Sequence, residues 1–208
     1  MGIVGLEYVD FEDEATYKDQ KYNPKLGLIW DIASSTQVRL AAFQTLRGSL
    51  VNNQTLAPTH IAGFNQLLDD VLGTQAKHYA AALNMQLVDD LYGGIEVTRR
   101  TATNFVSSSS LPEEDQEELR YEAYLNWPFL NRFALTGRYV VEDYEREYVD
   151  SESNYDRPAE LKTKTFATEL NYHHPSGLVS RLDASYVHQE ITNVLPTTGT
   201  LTEDDNFW

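Results

Sequence analysis

Cysteine is absent from the 208 residues, which excludes disulfides, thiol chemistry and the commonest zinc ligand sets. No run reaches the ~18 consecutive apolar residues that a membrane helix needs, so helical spans are excluded. Basic residues are scarce: 16 Lys and Arg stand against 32 Asp and Glu, a formal net charge of −16. Phosphate backbones are gripped by clustered Lys and Arg, so nucleic acid is excluded as a partner. Catalytic signatures are missing too, with no Gly-x-Ser-x-Gly elbow, no His-Glu-x-x-His and no phosphate-cradling glycine loop. His60, His78, His173, His174 and His188 are scattered along the chain, the 173–174 pair beside a turn and His188 toward a rim, where histidines are ordinarily solvated. The expectation is a non-enzyme with no catalytic residue, no metal site and no cofactor. Pro-rich and Gly/Ser-rich tracts are also lacking, so residues 1–208 read as one structural unit.

What is present is alternation. Extended segments with apolar residues at every second position are joined in turn by tight and by long polar connections. The tight ones fall at Ser34 to Gln37, Val88 to Leu91, Phe129 to Arg132 and His174 to Gly177. The long ones cover about 47–76, 104–117 and 150–160, with shorter excursions at 12–23 and after Leu195. This predicts an all-β, antiparallel up-and-down meander of about nine or ten strands, short on one side and long on the other, which is the connectivity of an outer-membrane β-barrel. The 41% hydrophobic content and mean hydropathy of −0.46 do not oppose that reading, because only alternate strand residues of a barrel must be apolar.

The sorting of charge carries the argument. One parity reads Val4, Leu6, Tyr8; Leu26, Leu28, Trp30, Ile32; Val38, Leu40, Ala42; and Tyr79, Ala81, Leu83, Met85, Leu87. It continues as Leu91, Gly93, Ile95, Val97; Leu119, Tyr121, Ala123, Leu125, Trp127; Phe133, Leu135, Gly137, Tyr139, Val141; Phe166, Thr168, Leu170, Tyr172; and, more weakly, Leu178, Ser180, Leu182, Ala184, Tyr186. None of these positions is charged. Lys25, Arg39, Glu96, Arg100, Arg120, Glu122, Arg138, Glu169, Arg181 and Asp183 all occupy the other parity and are expected to line a lumen. A charge on the lipid side near the midplane costs roughly 2–4 kcal/mol, whereas inside it is tolerated. Trp30, Tyr92, Trp127, Phe129, Phe133 and Tyr172 lie near the tight turns and are expected to form a lipid-facing aromatic girdle, with Tyr8, Tyr79, Tyr121, Tyr139 and Tyr186 toward the opposite rim.

The acidic excess gathers in the proposed external loops: Glu12, Asp13, Glu14 and Asp19; Glu113 to Glu118; Glu142 through Asp156; and Glu203, Asp204 and Asp205. Such loops either bind divalent cations that bridge lipopolysaccharide phosphates or keep the surface solvated, and no loop has an EF-hand ligand spacing. The partners implied are outer-membrane lipid and lipopolysaccharide. A soluble antiparallel sandwich or lipocalin-like barrel would share the alternation. It would have to place Tyr and Trp at strand ends, and small residues such as Ala42, Ala81, Gly93 and Gly137, in a sealed core.

Met1 leads straight into strand-like residues with no basic or apolar leader, whereas an outer-membrane protein crosses the inner membrane behind a signal. Phe207 and Trp208 resemble the start of a further strand, so nine strands and a stub fail the even count of a single-chain barrel. The expectation is an incomplete segment of a larger transmembrane barrel, with signal peptide, upstream domain and closing strands elsewhere. Within 47–76, Pro58 and Thr59 read as a turn or helix start, and Phe64, Leu67, Leu68, Val71 and Leu72 follow helical spacing. Two placements of this segment are open: folded inward to narrow the pore, or packed outside as a flap.

Asn23-Pro-Lys-Leu-Gly-Leu-Ile-Trp30, Val38-Arg-Leu-Ala-Ala-Phe43, Gln54-Thr-Leu-Ala-Pro-Thr59 and Ile61-Ala-Gly-Phe-Asn-Gln66 resemble the barrels of TonB-dependent-receptor-like proteins. They are more similar still to the barrels at the carboxyl end of tetratricopeptide-repeat outer-membrane proteins, as are Tyr92-Gly-Gly-Ile-Glu96 and His174-Pro-Ser-Gly177. The resemblance implies the outer membrane of a Gram-negative bacterium and a channel or export-type porin, the barrel part of a tetratricopeptide-repeat protein. The alternatives are a TonB-dependent receptor barrel for a siderophore-like or vitamin-like ligand, and a soluble antiparallel β protein. A periplasmic partner or an energy-coupling protein belongs to the same implication.

Overall fold

A segment such as Leu119-Arg-Tyr-Glu-Ala-Tyr-Leu125 separates polar from apolar side chains only when successive residues point to opposite sides, so it is extended rather than helical. Residues 1–12, 18–47, 60–65, 73–104, 114–147, 158–195 and 199–207 are described by the computed structural model of the protein. Its strands are β1 (Gly2–Glu12), β2 (Lys18–Ala33), β3 (Thr36–Leu46), β4 (His60–Ile61), β5 (Phe64–Asn65) and β6 (Gln75–Val88). They are followed by β7 (Leu91–Asn104), β8 (Glu114–Phe129), β9 (Phe133–Arg146), β10 (Glu160–His173), β11 (Val179–Leu195) and β12 (Gly199–Phe207). Among the described residues there is no helix. Ten strands form one antiparallel sheet in the order β1-β2-β3-β6-β7-β8-β9-β10-β11-β12, and β4 and β5 form a separate hairpin. The sheet does not close, since β1 pairs only with β2 and β12 only with β11. The up-and-down meander predicted from the alternation is present, with all four tight connections where they were expected.

Strand bounds depart from the expectation mainly where charge was read as loop. Lys18 to Tyr22, Glu114 to Glu118 and Glu142 to Glu145 belong to strands, and Glu203 to Asp205 lie inside β12 rather than in an acidic loop, so Phe207 ends a tenth strand and does not start one. The reason is physical: the ladder is made by backbone groups, so carboxylates interrupt the side-chain alternation without ending it. Phe64 belongs to the β4–β5 hairpin and not to a helix; Gln54 to Thr59 and Leu67 to Leu72 fall outside the described residues.

The register settles the two faces. Leu28, Leu40, Ala81 and Val97 are successive cross-strand partners on the outer face, as are Tyr139, Phe166 and Tyr186. The outer side chains are largely uncovered, among them Val4 (84%), Trp30 (57%), Ile95 (56%), Phe166 (51%) and Leu182 (68%). From Tyr121 to Phe129 the apolar zone of β8 extends roughly 27 Å along the strand at about 3.4 Å per residue. Toward the long-loop end of the strands the first outward charges are Arg99 on β7, Glu117 on β8, Asp143 on β9 and Lys164 on β10. At the tight-turn end an aromatic row runs through Trp127, Phe129, Phe133, Tyr172 and His174, with successive ring centroids 4.8, 5.4, 4.7 and 6.0 Å apart. Tyr92 departs from the expected girdle. It is in register with Gln86 and Asn126 and shares the parity of Glu96, so it stands on the inner face.

Candidate functional site

The inner face gathers all ten residues expected to line a lumen and joins them into ion pairs. Lys25 Nζ lies 2.9 Å from Glu7, Arg39 3.0 Å from Glu96, Arg100 2.7 Å from Glu118 and Arg138 3.1 Å from Glu122. Arg181 lies 3.0 Å from Glu169 and 2.8 Å from Asp183. Arg120 is the hub, pairing with Glu122, reaching Glu142 at 3.1 Å and standing 4.0 Å from Glu96. Register explains why a hub is needed: Glu96 and Glu122 are direct cross-strand partners, and like charges so placed repel. Arg120 and Arg39 neutralise them from two sides. Glu7 and His78, which sequence reasoning did not single out, share the inward parity of these residues, and that parity was the signal available to find them.

Between Tyr124 and Gly94 the face is built by size rather than charge. A Cβ at Gly94 would lie 2.7 Å from the Tyr124 ring, so only glycine lets that ring lie flat across β7, where its hydroxyl donates to Asn84 Oδ1 at 2.8 Å.

One half of the inner face is covered. The β4–β5 hairpin turns through Ala62 (φ 51°) and Gly63 (φ 85°), the positive-φ pair of a two-residue hairpin loop that carries alanine where glycine or asparagine is preferred. That strained turn is held by contact with the wall. Ile61, Ala62 and Phe64 are 1–3% exposed and pack with Ala41, Phe43 and Ala82. Burial of Ile61 and Phe64 contributes about 2 kcal/mol each. Arg39 fixes the tip: its Nη1 donates to the Ala62 carbonyl at 3.3 Å, and its guanidinium sits 4.7 Å over the Phe64 ring. Gly27 of β2 makes room, because a Cβ there would meet Ile61 Cγ2 at 3.0 Å. Of the two placements open for the long loop, these residues take the inward one.

Beyond the hairpin, toward β10, the inner face holds a cleft of about 520 Å³. No protein family, no curated protein and no solved structure matches this chain.

Proposed function

We propose that this chain forms part of the wall of an outer-membrane β-barrel of a Gram-negative cell, and that small hydrophilic solutes pass along its ion-paired inner face. The observation that carries the reading is the asymmetry of the sheet: one face exposes rows of Leu, Ile, Val, Trp and Tyr, with outward charge on β7 to β10 appearing only toward the long-loop end of the strands. In water so large a contiguous apolar surface is a liability; against acyl chains it is the stable choice, and aromatic rows at both margins suit the interfaces. A soluble sandwich would need a second layer across this face, and the chain's own hairpin lies on the opposite one. The unpaired edges of β1 and β12 are then sites where further strands complete the wall. As a conduit the wall suits a channel or export barrel, the type whose barrels the sequence resembles, with passage narrowed by the hairpin.

Because the chain has no cysteine, single Cys substitutions place nitroxide labels without background. Labels at Ile95, Leu125 and Leu182 in the reconstituted protein should collide with oxygen dissolved in lipid, and labels at Thr98 and Thr136 with an aqueous nickel chelate. Aqueous accessibility at all five positions would overturn the membrane reading.

A further inference from the structure

The sheet stops at β12 with its ladder open. β12 pairs only with β11, and in an antiparallel ladder about half of a strand's N–H and C=O groups point away from its one neighbour. That row of groups is a template for one more strand. β12 runs beside Val187 to Leu195 of β11, on the long-loop side of Tyr186, and its residues 201–206 are exposed, so a strand arriving through water reaches them.

Side chains decide which strand fits. Glu203, Asp204 and Asp205 stand opposite Ile191, Glu190 and Gln189, so β11 supplies no cation there, and none of the three is ion-paired among the described residues. Glu190, the direct partner of Asp204, already has Lys164 at 3.5 Å and His188 at 3.1 Å. Wet carboxylates by themselves demand nothing, as Glu145 opposite Glu160 shows. On an open ladder they act as a filter, repelling a strand that lays acidic residues against them and attracting one that brings cations. The other edge of the sheet shows the attraction, since Glu7 of β1 takes Lys25 of the adjoining β2 at 2.9 Å.

We propose that the free edge of β12 docks a basic strand, with Lys or Arg opposite Glu203, Asp204 and Asp205, and turns away this chain's own edges. β1 and β12 contain no Lys or Arg, so neither β1 of the same chain nor an edge strand of a second copy brings the cations. Main-chain hydrogen bonds supply the affinity and the three carboxylates the selectivity. The inference rests on the reading of that edge as a place for a further strand, and not on lipid at the outer face.

The probes are nine-residue peptides of alternating Val and Thr with Lys, Gln or Glu at the three central positions, titrated into the reconstituted protein and followed by fluorescence anisotropy and amide exchange. The Lys peptide should bind about tenfold tighter than the Gln peptide and slow exchange at 199–207, with the Glu peptide weaker still. A Lys peptide with two Val replaced by Pro, which cannot donate to a ladder, should lose binding. Asp204→Lys should weaken the Lys peptide about fivefold and strengthen the Glu peptide; Asp204→Asn, which removes charge alone, should weaken the Lys peptide about twofold. Equal binding of the Lys and Gln peptides, undiminished binding of the Pro peptide, unchanged preference in both variants, or a disulfide between cysteines placed at Thr202 and Tyr8 would each overturn the proposal. Labels reporting water on the outer face would remove the membrane reading and leave these outcomes to decide this one.

Discussion

The inner surface of the sheet has two halves that obey the same parity rule by different physical means. Under the hairpin the inward residues Ala41, Phe43 and Ala82 form an apolar patch, with Arg39 pinning the hairpin in place, and the charged inward residues of the same strands, Lys25 and Arg100, are largely buried. From β8 to β11 nothing described covers the wall, and the inward residues are ion pairs whose side chains are wet, Arg138 at 54% and Arg181 at 59% exposed. An inward parity therefore specifies only which way a side chain points. Whether it becomes core or stays open depends on what another part of the chain lays against it, and the energetic consequences differ accordingly.

The largest expected effect lies in the covered half. Phe64→Ala removes a 3%-exposed ring from a site with little room to collapse, a cost of about 3–4 kcal/mol. That loss should appear locally. Amide exchange at 61–65 should quicken by more than about a hundredfold, while amides in β9 and β10 keep their protection. Equal acceleration on both sides would mean that the hairpin and the far wall unfold as one unit, and the contrast drawn above would be lost.

Next come two arginines in similar pairs. Arg39 and Glu96 are 16% and 23% exposed, and Arg39 also holds the hairpin carbonyl and the Phe64 ring. Arg39→Ala should cost about 2–3 kcal/mol. Arg138→Ala in the open half should cost less than about 1 kcal/mol, because solvent already screens that pair. Unfolding in urea-titrated vesicles measures both. Among the glycines, Gly27→Ala drives a methyl into Ile61 and Ala62 and should cost about 1–2 kcal/mol, whereas Gly137→Ala, on the uncovered outer face, meets nothing within 4 Å and should be close to neutral.

The faces were readable before any coordinates because charge is missing from every second position, a pattern that Leu119 to Trp127 and Phe133 to Val141 carry in plain view. Partners across the sheet were not readable. Arg100 to Glu118 and Arg120 to Glu142 depend on the offset between neighbouring strands, which no single strand encodes. The hairpin was hidden for a different reason. Two-residue strands show no period, Ala62 is not a residue that announces a positive φ, and Phe64 happened to stand at helical spacing from Leu67 and Leu68. Tyr92 was misplaced because nearness to a turn was allowed to outrank parity, although Leu91, Gly93 and Ile95 beside it already marked the outer side.

The smallest effect is expected where the sheet rises above its apolar zone and neither half's rule applies. There, beyond Tyr186 on β11, His188 Nε2 lies 3.1 Å from Glu190 and its Nδ1 3.0 Å from Asn206. The hydrogen bond to Glu190, then that to Asn206, raises the imidazole above its ordinary 6.5. His188 in turn, followed by Lys164, lowers the Glu190 carboxyl below its ordinary 4.5. A raised histidine contributes stability that is complete below 6.5 and is lost as pH climbs through the folded value; a lowered carboxylate contributes stability that is complete above 4.5 and is lost as pH falls through its own. The pair is thus fully favourable between those two limits. Both side chains are partly exposed, 26% and 38%, and solvent screens the pair, so the readout is the titration itself. The His188 ring-proton midpoint should stand above 6.5 in the wild type and fall toward it in Glu190→Gln, and raised salt should narrow the difference. A midpoint unmoved by Glu190→Gln would show that the two side chains do not meet in solution.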